Sequence, residues 1–252
     1  PGHLPAANAP AFTTVLAPIT IGSLITQVQQ SGASIGPLGM VFLPDGQHLL
    51  ISGGPGRNSL YLFSLSGGQA LTPLITLDVP IYDMAFDAAG QLWATTGGGP
   101  LVQLDPTTGA ILARYADSIG LGLAVQNNTL YLSTGSGIQT FDTLAHTFHP
   151  FSSTRVDGLA FAPDGTLWGA SWPTRGTLIE FDSHGNPTAV LNVPDAVGLA
   201  FGKANTPLAN LLFVSRDDGT LTMVDLTSLQ TVDVATNGSR GDFAHIGPDG
   251  RL

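Results

Sequence analysis

"VDGLAFAPDGTLWGAS", from Val156 to Ser171, sets one apolar stretch against a second across a Pro-Asp-Gly turn. Gly and Asn accept the positive φ that tight turns between antiparallel strands demand, so the stretch reads as a β-hairpin. The chain repeats it as "GPLGMVFLPDGQHLLIS" from Gly36 and "IYDMAFDAAGQLWATT" from Ile81. Six short cores align: "GMVF" at Gly39, "DMAF" at Asp83, "GLAV" at Gly122, "GLAF" at Gly158, "GLAF" at Gly198 and "DFAH" at Asp242. They are 44, 39, 36, 40 and 44 residues apart, which is one supersecondary unit per repeat.

Within each unit a second strand follows the turn ("HLLIS", "QLWATT", "TLYLST", "TLWGAS", "LLFVS"), then a Gly-rich bend and a third strand. Asp105, Asp142, Asp182 and Asp225 close the third strands and are expected to hydrogen-bond their own turns. A fourth strand ("PLITLDV", "TAVLNV") leads onward. Four short antiparallel strands per unit, repeated radially, predict an all-β chain folded as a β-propeller. Apolar residues at helical spacing are almost absent, which excludes helical repeats.

The expected organisation is one domain over 1–252. Residues 1–12 form a tail, 13–35 closing strands, 36–240 five blades and 241–252 the start of the last blade. Six four-stranded blades are expected, with seven as the alternative, and the N-terminal segment closes the ring. Inner strands are expected near 39–43, 83–87, 122–126, 158–162, 198–202 and 242–246. Because Leu252 ends inside a repeat, the chain reads as a piece of something longer.

Composition narrows the function. With 43% hydrophobic and 10% charged residues the chain can bury a large core. Its net charge is -10 and Lys203 is its single lysine, so no cationic cluster exists to neutralise nucleic acid or anionic lipid. No apolar run approaches the roughly 20 residues of a membrane helix. The lack of cysteine rules out disulfides, thiolate metal sites and cysteine nucleophiles. Low charge with abundant Ser, Thr and Gly suggests an extracellular or cell-surface bacterial module.

The repeat "VDGLAFAPDGTLWGAS" resembles those of the regucalcin/gluconolactonase (senescence-marker) family, and also those of NHL and streptogramin-lyase propellers. The first resemblance implies a central divalent ion held by Glu, Asn and Asp at the inner-strand mouths. Asp157 stands where it places the Asp ligand. Leu38, Tyr82, Leu121, Val197 and Gly241 occupy the equivalent positions, and a hard cation needs more oxygen ligands than these supply. No metal or cofactor is therefore expected. The lyase resemblance implies a His with acidic and basic groups at the channel mouth. Of the six histidines, His245 falls on an inner strand, where it reads as a packed residue.

Asp83, Asp157 and Asp242 could converge on one channel mouth as a weak cation site or acid–base group, or merely cap strand starts. With Tyr82 and Arg240 they form the candidate ligand-binding set. "RGD" at Arg240–Asp242 matches a cell-attachment tripeptide but opens a strand rather than an exposed loop. "GGPGRNS" and "TGGGP" precede no helix and read as blade turns. No nucleophile elbow or ordered triad appears, so no catalytic residue is assigned. Trp93 and Trp168 share one second-strand position and are expected to pack between blades, with Trp172 in the turn beyond.

The reading that follows is a non-enzymatic extracellular binding or interaction module of a larger bacterial surface or adhesin-like protein. Its partner would be a protein or a small molecule. The alternative is a lactonase-like hydrolase or lyase with its site at the central channel mouth.

Overall fold

The computed structural model describes residues 12, 14–17, 19, 20, 22, 24–31, 36–174, 176–238 and 244–247. Among these every regular element is a strand. Five four-stranded antiparallel blades follow in chain order. Blade I comprises Met40–Phe42, His48–Gly53, Ser59–Ser64 and Ile75–Thr76. Blade II comprises Met84–Phe86, Leu92–Ala94, Leu101–Leu104 and Ile111–Tyr115. Blade III comprises Ile119–Gln126, Thr129–Thr134, Gly137–Asp142 and Thr147–Ser152. Blade IV comprises Val156–Phe161, Leu167–Ser171, Thr177–Phe181 and Pro187–Asn192. Blade V comprises Ala196–Phe201, Leu211–Arg216, Leu221–Asp225 and Thr231–Thr236. These match the repeats read from sequence, and the propeller is a finding.

Turn chemistry fixes the hairpins. Gly46, Gly90, Asn127 and Gly165 take positive φ between first and second strands. The four strand-closing aspartates cap their own turns as expected. Asp105 Oδ1, for example, accepts from Thr107 N at 2.8 Å and Thr108 N at 3.0 Å, and Asp225 Oδ1 does the same with Thr227 and Ser228.

The core lies between blades, because each sheet has two apolar faces and buries each against a neighbour. Leu50 and Leu60 of blade I pack with Met84, Leu92 and Val102 of blade II. Trp93 of blade II packs with Ile119, Leu130 and Phe141 of blade III. Trp168 of blade IV packs with Leu199 and Leu212 of blade V. Both tryptophans are interblade residues, as expected, whereas Trp172 is 38% exposed.

One expectation is corrected. The described residues form five blades, not six or seven. The sixth inner strand was expected over 242–246, of which 242 and 243 lie outside the described residues, while 244–247 form no strand. Ring closure by residues 13–30 pairing beside 241–252 falls largely outside the described residues, since only 244–247 of that partner segment are described, and these form no strand. Among the described residues, Thr14–Val15 adds antiparallel to the outer strand of blade V, with Thr14 opposite Thr236. Ile25–Thr26 pairs in parallel with Gly68–Gln69 of blade I. The physical reason is what these blades leave open. Blade V offers an unpaired edge, and blade I has an apolar face that Val28 and Ile25 cover, against Leu49, Ile51, Tyr61 and Phe63.

Candidate functional site

The repeated four-residue core explains the centre of the molecule. Its first position is Gly in four of six repeats because inner strands approach the next blade closely. A Cβ on Gly122 would lie 2.1 Å from the Asp157 carbonyl oxygen, and one on Gly158 would lie 2.2 Å from that of Val197. In blade II the position holds Asp83, whose Oδ2 accepts from Leu123 N of blade III at 3.1 Å. Oδ1 accepts from Met84 N at 2.8 Å.

The fourth position of each core faces a central cavity of about 440 Å³, and Phe42, Phe86, Val125, Phe161, Phe201 and His245 all line it. Asp83 also lines it. Among the described residues the lining side chains are apolar except for one carboxyl and one imidazole, and inner-strand backbone adds polar surface between them. His245 Nε2 lies 3.9 Å from Asp83 Oδ1, too far for a hydrogen bond, and has no hydrogen-bond partner among the described residues. About a quarter of the His245 side chain is exposed, but Nε2 itself is buried.

Burial sets the protonation of both groups. Loss of water pushes the Asp83 carboxyl up to about 7, against the pull of the Met84 and Leu123 N–H groups. It pushes His245 down to about 4. Between those values the channel carries a protonated acid and a neutral imidazole, and so no net charge.

The other candidates are placed differently. Asp157 is buried on blade IV but does not line the cavity. Tyr82 stands outside the cavity, where its hydroxyl accepts from Arg57 Nη1 and the guanidinium lies 5.7 Å from its ring centre. Gly97 packs on the ring, since a Cβ there would lie 2.2 Å from Tyr82 Cε2. Arg240 and Asp242, with the "RGD" tripeptide and Gly241, lie outside the described residues. Among the described residues no group of three or more His, Asp or Glu is gathered as a metal site. The convergence of Asp83 with Asp157 is thus corrected: Asp157 stands one residue before its core, at the position Tyr82 holds in blade II, and neither Tyr82 nor Asp157 lines the channel.

His245 is the residue that sequence reasoning left out of the site. Its signal was present as the single polar side chain in an otherwise apolar column of fourth positions.

No protein-family model matches the chain, and no curated protein is detectably similar in sequence. Solved structures are similar in fold. Virginiamycin B lyase from Staphylococcus aureus superposes with a TM-score of 0.56 at 17% identity, covering 79% of this chain and 69% of that one. A streptogramin B lyase superposes with a TM-score of 0.58 at 14% identity, covering 87% and 74%. At these identities the likeness establishes the β-propeller architecture alone.

Proposed function

We propose that the chain is a binding module whose central channel takes a small, mainly apolar molecule. The observation that carries this is the lining: among the described residues, an apolar ring of cavity-facing side chains broken by Asp83 and His245. Concave, apolar cavities with few convergent polar groups are the usual form of small-molecule sites, and 440 Å³ falls within their range. We further propose an extracellular bacterial setting, supported by the low charge and the single lysine. Titration with the neutral fluorophore N-phenyl-1-naphthylamine tests the channel. Saturable one-site enhancement, weakened by Val125→Trp, is expected; a non-saturable response unchanged by that substitution would rule the channel out.

A second reading has one observation in its favour. A carboxyl with its pKa raised to about 7 beside an imidazole is suited to general acid–base work, and the structural neighbours are lyases. Under the leading reading virginiamycin B is not opened by the protein. Turnover that disappears in Asp83→Asn would favour the lyase instead. The regucalcin-type lactonase reading has less support, because Leu38, Leu121 and Val197 offer a cation no side-chain oxygen.

A further inference from the structure

We infer that Asp83 and His245 together form a hydroxyl-selective anchor, so that the channel prefers alcohols or phenols with an apolar body over hydrocarbons of the same shape. The inference rests on the proposed channel-binding reading and deepens it. Asp83 Oδ1 and His245 Nε2 lie 3.9 Å apart, both residues line one cavity, and the buried Nε2 has no hydrogen-bond partner among the described residues. That gap is too wide for a direct bond, yet one oxygen between them can reach both. Asp83 is held by its other contacts: its two oxygens accept from Met84 N and Leu123 N, which fix the carboxyl in place.

Hydroxyl is the group that answers this pair, because it donates and accepts at once. With Asp83 ionised, a ligand O–H donates to Oδ1 and its oxygen accepts from the Nε2–H tautomer of His245. With Asp83 protonated the roles reverse: the acid donates to the ligand oxygen, and the ligand O–H donates to Nε2. An ether or ester oxygen only accepts, so it serves one arm and leaves the other unmatched. An anion would meet the Asp83 carboxyl with no cationic side chain among the described lining residues. The ring of Phe42, Phe86, Phe161 and Phe201 supplies the contact for the apolar body.

The test compares para-cresol with para-xylene, which differ only in a hydroxyl replacing a methyl, by calorimetric or NMR titration of the intact chain. The phenol should bind about tenfold or more tightly, since a hydrocarbon leaves two buried polar groups unmatched. His245→Phe should abolish that preference. Four sister repeats carry Phe at this position, so the variant keeps the ring's own side chain and is expected to fold. Histidine nitrogen resonances give a second readout in the unaltered protein, with only the His245 Nε2 signal moving on addition of para-cresol. Equal binding of both probes by the unaltered chain would overturn the anchor while leaving the channel reading intact. A phenol preference that survives His245→Phe would also overturn it. Binding of neither probe would remove the channel reading and the anchor with it.

Discussion

Ser52 donates through its hydroxyl to the carbonyl of Ile81, one blade further round, at 2.8 Å. The same hydroxyl accepts from Gly39 N within its own blade at 2.9 Å. Thr95 repeats the device, accepting from Asp83 N at 3.1 Å and donating to Leu121 O at 2.6 Å. Ser133 and Ser215 accept from Gly122 N and Gly198 N in blades III and V. A hydroxyl at the end of the second strand thus ties inner strands together where a plain sheet ladder cannot reach. Blade IV carries Ala170 at this position.

Ser52→Ala should therefore lower the unfolding free energy by about 1–3 kcal/mol, because two buried backbone groups lose a partner. Ser52→Thr should restore most of it, since Thr95 performs the same task. Denaturant titration of the three proteins measures the difference. An alanine variant as stable as the parent would show that the link contributes nothing.

Gly122→Ala tests the close approach of inner strands. The new Cβ meets the Asp157 carbonyl at 2.1 Å, a backbone atom that cannot swing aside. Overpacking of this kind typically costs about 1–3 kcal/mol, and more where the neighbour is rigid. Gly135→Ala is the control, having nothing within 4 Å of the added atom. Similar melting temperatures for the two variants would contradict the account.

This contact also shows why the fold was legible. Gly at the core's first position, Pro-Asp-Gly at the turn and Asp at the third-strand end each answer a local demand, so they recur visibly. The N-terminal segment answered no such rule. "LITQVQQ" echoes a fourth strand, but only Ile25 and Thr26 pair, and Val28 owes its place to the bare face of blade I. The site was half legible for a similar reason. The channel column of Phe, Val and His can be read from the repeat. That Asp83 comes within 3.9 Å of His245 is a contact between residues 162 positions apart, which no local pattern encodes, and Asp157 sits one position off, where Tyr82 does.

The channel pair makes opposing contributions to pH dependence. Asp83 is held protonated in the fold up to about 7, against 3.8 for an ordinary carboxyl, so its contribution falls as pH rises through that window. His245 is held neutral down to about 4, against 6.5, so its contribution is complete above 6.5 and is lost as pH falls toward 4. Between about pH 4 and 6.5 the two nearly cancel. His245→Phe should remove the imidazole contribution and leave the carboxyl alone, so stability relative to the parent should fall by roughly 3 kcal/mol at most from pH 4 to 6.5. Asp83→Asn should remove the carboxyl contribution and leave the imidazole alone, so stability relative to the parent should rise by roughly 4 kcal/mol at most from pH 4 to 7. Turn carboxyls such as Asp105, Asp142 and Asp225, which backbone N–H groups hold below the ordinary range, act at lower pH and cancel in the difference. Denaturant unfolding at stepped pH reads both curves; flat differences would mean that neither group is desolvated as described.

The last prediction concerns the segment lying on blade I. Val28 is buried among Leu49, Ile51, Tyr61 and Phe63, and Gln29 O accepts from Gly54 N at 3.1 Å. A Cβ on Gly53 would lie 2.6 Å from Val28 Cγ1, so the strand has given up a side chain to admit this one. Val28→Ala removes two carbons from an apolar seat and should cost about 1.5 kcal/mol. Val28→Asp places a carboxyl there without a partner and should cost about 3 kcal/mol or more, or lift the segment away. Deleting residues 1–31 should bare the face of blade I, broaden the melting transition and raise binding of a hydrophobic dye. The aspartate variant and the deletion should behave alike, because both uncover the same apolar side chains. A truncated chain that melts as the parent does, with no added dye binding, would mean that the segment rests on the blade without holding it.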